Sequence, residues 1–226
     1  MAIDKNVRVL MYDTETTNSL DDPLCYDLGY EVFDLAGNLY DRNSFVNGDV
    51  FCDKELMSSA YFLDKMPQYW EEIKAGKRQL ASWYQITKEL YRTIVENDVK
   101  IVCAHNARFD YRAIHTTQRY RTSSKWRWVL PYGVEWWDTL KMARNILKCD
   151  KQYIEFCTEN EFTTTLGKPQ FTAEVLYRFI MGDKTFSESH TGLEDVQIER
   201  KIFEYLMGRN PEIDGRLWPK TEEEDV

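Results

Sequence analysis

Residues 7–17 read VRVLMYDTETT and join an apolar run to two closely spaced acids. The run from Val7 to Tyr12 predicts a buried strand that ends at Asp13. Because side chains alternate along an extended backbone, Asp13 and Glu15 point to the same face. Two carboxylates held so close repel each other and lose hydration, and a divalent cation such as Mg²⁺ or Mn²⁺ relieves both costs. An acidic strand end that faces water is the alternative interpretation of this pair.

The segments that follow predict a mixed α/β order in one domain. Further strands are predicted at residues 26–33, 39–46, 99–103 and 134–137. Helices are predicted at residues 80–95, 139–147, 172–181 and 192–207, and directly after Asn106. Asp138 is expected to cap the second of these helices. Residues 53–79 are charged and loop-like, with a short helix near residues 69–74.

The composition places the chain among globular proteins. Its 226 residues are enough for one large domain, and 43% of them are apolar. The sequence has neither an apolar stretch of about 18 residues nor the layout of a signal peptide, so a membrane span and secretion are not expected. The five cysteines are scattered without a CxxC pair, which argues against a disulfide framework or a zinc knuckle. We therefore expect a reduced, cytoplasmic protein with no membrane partner.

Charge is distributed unevenly along the chain. The formal net charge is −9, yet residues 101–150 carry nine basic and four acidic side chains. Between Tyr111 and Leu130 there are five cations and no acid, with four aromatic side chains interleaved. Cations neutralise phosphates and aromatic faces stack on unpaired bases, so this mixture favours single-stranded nucleic acid. A solvated positive face whose aromatic side chains belong to the core is the alternative.

Two further polar clusters lie at the starts of predicted helices. Residues 104–110 read AHNARFD and follow a predicted strand. Asp110 falls in the first turn of the helix, where it either serves a site or complements the helix dipole. Residues 189–195 read SHTGLED, with His190 just before a helix and Asp195 in its second turn. A histidine placed there is suited to take a proton from water, and a hydrogen-bonding role at the helix start is the alternative.

Together the three clusters resemble the motifs of the DnaQ-like (DEDD) 3′→5′ exonucleases, in the subgroup whose last motif contains a histidine. The D-x-E of that family's first motif is matched by Asp13 and Glu15. Its H-N-x-x-F-D motif is matched by residues 105–110. Its closing H-x4-D is matched by His190 and Asp195.

The resemblance covers about residues 6–207, and residues 138–144 are similar to the family's D-T-L helix. It implies an α/β fold of the RNase H-like type. In that fold a mixed sheet, three antiparallel strands followed by parallel strands, is flanked by helices. We therefore assign residues 1–210 to a single exonuclease domain. Residues 211–226 are predicted to form a C-terminal extension with an acidic, disordered tail.

The resemblance implies a role for each matched residue. The family uses two divalent ions, Mg²⁺ or Mn²⁺, at the scissile phosphate of a 3′ end. Carried over, the metal ligands are Asp13, Glu15, Asp110 and Asp195. His190 is the general base that takes the proton from the attacking water, and it completes the catalytic set. The products are nucleoside 5′-monophosphates.

Six further residues are expected to contact substrate. They are Thr14, Thr16, Asn106, Arg121, Lys125 and Arg127. The two threonines match positions at which the family holds the terminal nucleotide, and the asparagine belongs to the second motif. The three cations are predicted to lie on a loop, residues 119–130, that guides a single strand toward the metals.

Substrate and partners stay open from the sequence. A single-stranded 3′ end of DNA is the favoured substrate, and an RNA-trimming or oligoribonucleotide exonuclease is the alternative, because motifs that grip phosphate do not distinguish the two. A DNA polymerase or replication protein is a candidate partner, recruited through the acidic tail or exposed aromatic side chains. A non-catalytic nucleic-acid-binding scaffold of the same fold is opposed by the presence of every motif carboxylate. A metal phosphoesterase for small nucleotides is a third possibility.

Overall fold

The computed structural model describes residues 4–17, 21–123, 125 and 128–218. Within them the chain forms a six-stranded sheet in the order β4-β3-β2-β1-β5-β6. The strands are β1 Arg8–Thr17, β2 Leu24–Asp34, β3 Leu39–Asn47, β4 Gln79–Ala81, β5 Val99–Ala104 and β6 Glu135–Asp138. Strand β2 is antiparallel to both of its neighbours, β1 and β3, whereas β5 runs parallel to β1 and β6 runs parallel to β5. The predicted mixed sheet is confirmed.

Strand β1 lies inside the sheet and is longer than predicted. It continues through the acidic motif to Thr17 instead of ending at Asp13. The reason is its partner, because β2 pairs with it from Arg8 to Thr17, with one register shift between Glu15 and Thr16. The two acids therefore lie on hydrogen-bonded backbone, which holds them more rigidly than a loop would.

Helices cover both faces of the sheet. They are α1 Gly48–Phe51, α2 Lys54–Met57, α3 Met66–Lys74, α4 Trp83–Glu96, α5 Ala107–Arg121, α6 Thr139–Leu147, α7 Lys151–Glu159, α8 Ala173–Met181 and α9 Gly192–Arg209. Leu10 and Tyr12 of β1 pack with side chains of α4 and α5. Val9 and Met11 pack on the other side with α9 and its neighbours. Because β1 side chains alternate, its two acids lie on the α9 side.

Several segments differ from the prediction. Residues 48–74 hold three α-helices and a short 3₁₀ helix, Leu63–Lys65. Leu80 lies in β4, which pairs in parallel with β3. A three-residue edge strand is too short to show a period of two, so the helical spacing of its neighbours obscured it. Helix α7 was not predicted. Helix α5 continues to Arg121, so the prediction of a loop is wrong for residues 119–121; the helix extends because Ile114 and Thr117 bury its inner face.

The segment after α9 returns to the sheet. The backbone N–H of Leu217 donates to the Trp136 carbonyl at 2.6 Å, and the N–H of Asp138 donates to the Gly215 carbonyl at 2.9 Å. Ile213 and Leu217 are each only 7% exposed. The described part of the C-terminal extension thus packs on β6. The predicted acidic tail lies outside the described residues.

The cysteine thiols and the character of the helices bear on two further expectations. All five cysteines are free thiols, in agreement with their scattered spacing. Three of them, Cys25, Cys103 and Cys157, are buried. In the part of the chain that the structure describes, no helix combines the length and the apolar character needed to cross a bilayer.

Candidate active site

The five residues predicted to be catalytic lie around one cavity of about 520 Å³. Its lining includes Asp13, Glu15, Asp110, His190 and Asp195. The first two come from β1, Asp110 comes from the first turn of α5, and Asp195 comes from the first turn of α9 instead of the predicted second. His190 lies just before α9. The fold therefore brings the three sequence motifs to a single place.

Glu15, His190 and Asp195 form a close group in this cavity. One carboxylate oxygen from each acid and one imidazole nitrogen all lie within 4.8 Å of one another. Asp195 is buried, whereas Glu15 and His190 are partly exposed to the cavity. Like charges at such a distance disfavour ionisation of both acids unless a cation lies between them.

Asp110 is tied to β1 through Thr14. The Thr14 hydroxyl donates to Asp110 Oδ1 at 2.8 Å, and the Thr14 backbone N–H donates to the same oxygen at 3.2 Å. Both residues are buried, at 2% and 5% exposure. Because these bonds fix one carboxylate oxygen, the Asp110 side chain has a set orientation relative to the acids of β1.

Two glycines allow α9 to approach β2 closely enough to place Asp195. A Cβ on Gly29 would lie 2.3 Å from the backbone nitrogen of Leu193. A Cβ on Gly192 would lie 2.8 Å from the backbone nitrogen of Gly29. No side chain fits in either place, so the helix start and the strand meet backbone to backbone. This contact sets the first turn of α9 against β1.

A buried ion-pair network holds the same end of α9. Asp27 of β2 accepts hydrogen bonds from the Gly192 N–H at 2.9 Å and from the Tyr69 hydroxyl at 2.6 Å. Arg78 bonds Asp27 at 3.1 Å and also reaches Glu194 of α9 at 2.8 Å. Because Asp27 and Arg78 are almost fully buried, each requires the other's charge. The network joins α3 and the segment before β4 to the start of α9.

His190 has an unusual backbone conformation, and the side chains of Phe62 and Lys65 contact it. Its φ is 48°, in the left-handed region. Its ring stacks on Phe62, with centroids 4.5 Å apart and planes inclined by 13°. The Lys65 ammonium donates to the backbone carbonyls of Ser189 and His190. Burial, followed by the Lys65 charge, lowers the pKa of His190 and keeps the imidazole neutral near pH 7.

The groups around the cavity acids do not neutralise the combined negative charge that these acids would carry when ionised. Burial, followed by the charges of Glu199 and Asp110, raises the pKa of Asp13 well above its ordinary range. Burial and neighbouring acids likewise raise the pKa of Glu15. Burial raises the pKa of Asp110 and that of Asp195 to about 7 each. The folded protein therefore keeps a repulsion that a bound cation would relieve.

Glu199 is a further carboxylate of this cavity besides the four motif acids, and the motifs did not point to it. It lies one turn after Asp195 on α9, lines the cavity and is 4% exposed. Its Oε2 accepts a hydrogen bond from the backbone N–H of His105 at 3.1 Å. Burial, followed by the charge of Asp110, raises the pKa of Glu199. The available signal was spacing, because residues four apart share one helix face.

The residues predicted to hold the terminal nucleotide are placed differently from one another. Thr14 and Asn106 line the cavity. Asn106 has a φ of 66°, and its side chain makes no capping hydrogen bond, so its amide can face a ligand. Thr16 is 6% exposed and is absent from the described lining. The Thr14 hydroxyl proton is engaged by Asp110, so a substrate contact would use the remaining lone pairs of that oxygen.

The two described cations of the predicted guiding loop do not line the cavity. Arg121 ends α5, where its guanidinium pairs with Asp49 at 3.1 Å. Lys125 is exposed, and neither it nor Arg121 belongs to the described lining. Arg127 lies outside the described residues. A substrate contact by these side chains stays a prediction.

Comparison with known proteins bears on the fold. No family model matches the sequence, and no curated protein matches it in sequence. E. coli exonuclease I in complex with a dA16 oligonucleotide matches the structure with a TM-score of 0.62 at 16% identity, over 91% of this chain and 41% of that chain. A 3′-exonuclease with 3′-end-specific recognition of a histone mRNA stem-loop matches with a TM-score of 0.59 at 8% identity, over 93% and 85%. The chain has the fold of the 3′-5′ exonucleases.

This exonuclease fold is the one that the motif resemblance implied, and that expectation is confirmed. Exonuclease X in complex with 5′ overhanging duplex DNA is a further match, at a TM-score of 0.44 and 15% identity over 89% of this chain and 92% of that chain. Identities this low establish the fold alone. The chemistry of this exonuclease-fold chain must therefore be argued from its own residues.

The side chains at the centre of the exonuclease fold suit a hard divalent cation. Asp13, Glu15, Asp110 and Asp195 offer carboxylate oxygens, the ligands that Mg²⁺ and Mn²⁺ prefer. Their raised pKa values show that the protein alone does not balance their charges. Both the kind of donor and the unbalanced charge fit the expected ions.

Proposed function

We propose that this chain is a divalent-metal-dependent 3′→5′ exonuclease that removes nucleotides one at a time from single-stranded nucleic acid, with DNA as the favoured substrate. The observation that carries the proposal is the convergence of four motif carboxylates and a neutral histidine around one cavity. A scaffold protein has no need to crowd buried acids, because uncompensated buried charge destabilises the fold.

The chain's own residues have distinct tasks in this reaction. His190 takes a proton from the attacking water. Its lowered pKa favours the neutral ring, in which one nitrogen can accept a proton. The water oxygen bonds to phosphorus as the bond from phosphorus to the 3′ oxygen of the preceding nucleotide breaks, which releases a nucleoside 5′-monophosphate. Asp13, Glu15, Asp110 and Asp195 would hold the ions. When bound, Mg²⁺ or Mn²⁺ supplies charge neutralisation at the phosphate and the leaving oxygen.

The sugar of the substrate, deoxyribose or ribose, is the second part of the proposal. Both a DNA oligonucleotide and a histone mRNA stem-loop are named among the complexes of similar fold. RNA is therefore the alternative substrate, and discrimination would depend on contacts near the 2′-hydroxyl. The cavity of about 520 Å³ falls in the usual range for a small-molecule site, so it suits one terminal nucleotide.

The test uses 5′-labelled single-stranded DNA and RNA of one sequence, incubated with Mg²⁺ or Mn²⁺. The variant is Asp13→Asn, and the matched control is Asp53→Asn. Asp53 is exposed and caps α2, a position that asparagine fills equally well. We expect a ladder shortening from the 3′ end, slowed by more than about a hundredfold in the variant and unchanged in the control.

A 3′-phosphorylated copy of each substrate controls for the direction of attack. Shortening from the 5′ end, or equal activity of Asp13→Asn and wild type, would contradict the proposal. Binding of both strands without cleavage would favour the non-catalytic scaffold.

A further inference from the structure

A second concave surface adjoins the active-site cavity along α5. A cavity of about 430 Å³ shares Asn106 and Phe109 with the active site. A third cavity, of about 650 Å³, shares Tyr111 with the second. The three cavities therefore form one continuous run of surface that begins at the acids and follows the helix.

Two cations of this surface are available to a ligand. Arg108 and Arg112 are exposed and lie one turn apart on α5, and neither forms an ion pair within the described residues. Arg121 of the same helix differs, because it pairs with Asp49. Glu135 is the one acid in the described lining of the two added cavities, and it accepts a hydrogen bond from the Trp137 indole. The surface is thus locally positive on an acidic protein, which favours phosphate.

Aromatic rings line the same surface. Tyr111 contacts Trp136 and Trp218 edge to face, with centroids 4.8 Å away in both pairs. Trp218 is 47% exposed and Trp128 is 63% exposed. Edge-on packing fixes a ring while leaving much of its face open. Fixed, exposed rings beside cations that make no ion pair in the described part of the chain are a combination that binds single strands, with bases stacked and phosphates neutralised.

We propose that Arg108, Tyr111, Arg112, Trp128 and Trp218, the α5 track, bind the single strand upstream of the nucleotide being removed. The arginines contact phosphates, and the exposed indoles stack on bases. The inference rests on the proposed exonuclease function and assigns the substrate a path away from the acids. The sequence predicted that residues 119–130 guide the strand, whereas the α5 track assigns this role mainly to the first two turns of α5. Of the predicted loop, only Trp128 belongs to the track.

The test compares two double variants of the full chain with equal loss of charge. Arg108→Ala/Arg112→Ala removes the track cations, and Lys88→Ala/Arg92→Ala removes two exposed cations one turn apart on α4, outside the described lining of the three cavities. Each is assayed on a twenty-nucleotide oligo(dT) and on the p-nitrophenyl ester of thymidine 5′-monophosphate. The ester reaches the active site but is too short for the track.

For the track variant we expect KM for the oligonucleotide to rise about tenfold and the salt dependence of binding to flatten, because two phosphate contacts are lost. Turnover of the ester should not change. The control variant should match the wild type on both substrates. Trp218→Ala should also weaken oligonucleotide binding but change the salt dependence little, because stacking releases no counterions.

Three results would overturn the α5 track. They are an unchanged oligonucleotide KM in the track variant, an equal rise in the two double variants, or an equal loss on the ester. An unchanged oligonucleotide KM would assign the aromatic surface to a protein partner instead. If the wild type cleaves neither substrate, the exonuclease function fails, and fluorescent oligo(dT) binding in Ca²⁺ still decides the track by the same comparison of variants.

Discussion

The Glu199 carboxylate accepts a 3.1 Å hydrogen bond from the backbone N–H of His105, and this contact joins α9 to the loop before α5. Glu199 also lines the active-site cavity. Among the charges that raise the pKa of Asp13, that of Glu199 acts most strongly. One side chain outside every motif thus positions the second motif and adds to the negative potential at the first.

The first prediction concerns the Glu199→Gln variant. Glutamine keeps an acceptor for the His105 N–H but cannot ionise beside Asp13. We expect the Mg²⁺ concentration at half-maximal activity to rise by about ten- to a hundredfold, as for other groups that tune a metal site. Glu204→Gln is the control, because Glu204 lies on the same helix in ion pairs with Arg200 and Lys201. An unchanged Mg²⁺ requirement in Glu199→Gln would contradict the assignment.

The second prediction concerns stability and pH in the absence of metal. Burial raises the pKa of Asp110 from 3.8 to about 7. Folding therefore favours the protonated carboxyl, and the native state loses stability as pH rises from about 4 to about 7. Asp110→Asn cannot ionise yet keeps an acceptor for Thr14. With a chelator present, we expect this variant to gain stability over the wild type as pH rises through that range.

Urea unfolding at pH 5, 6 and 7 measures the difference. Burial lowers the pKa of His105, which gives the opposite pH dependence, but this histidine is present in both proteins and cancels in the comparison. Saturating Mg²⁺ should reverse the order at pH 7, since it binds the wild-type acid better. A difference that does not vary with pH would show that Asp110 is already ionised in the metal-free fold.

The third prediction concerns the approach of α9 to β2. Gly29→Ala places a methyl group 2.3 Å from the Leu193 backbone nitrogen, so backbone must move. We expect a loss of about 1–3 kcal/mol or more and, because Asp195 moves with the helix, a larger fall in kcat than the stability change alone explains.

Gly208→Ala is the matched control. It lies in α9 with nothing within 4 Å of an added Cβ, and we expect it to stabilise the protein by about 0.5–1 kcal/mol. Thermal unfolding and kcat are measured on both variants. Equal behaviour of the two alanines would show that the close approach is not required.

The fourth prediction concerns the proposed general base. His190→Gln should lower kcat by about 10²–10⁴-fold and remove the acid limb of the pH profile of kcat. Phe62→Leu keeps the imidazole but removes the stacking ring. We expect a smaller loss and a retained acid limb in that variant. A His190→Gln profile that keeps its acid limb would exclude His190 as the base.

Much of the fold followed from local patterns. The Asp138 carboxylate caps α6 by accepting the Leu140 N–H at 2.9 Å, as the D-T-L segment predicted. The three antiparallel strands and α9 were predicted within a few residues of their bounds. Strand β4 and the Asp27–Arg78 pair were not predicted. A three-residue strand and a contact between residues 51 apart in sequence leave no periodic signal.

Within the candidate active site, some residues follow from the local sequence and others only from contacts between distant segments. Alternation along β1 and the positions of acids at two helix starts are local properties, and the family resemblance carried by these motifs implied that Asp13, Glu15, Asp110 and Asp195 are partners in one site. Tertiary packing determined the remaining contacts of the site and its surroundings. It brought Glu199 to the acids, paired Arg121 with Asp49 and left Arg112 without an ion pair among the described residues, because the neighbours of a charge are set only when distant segments meet in the folded chain.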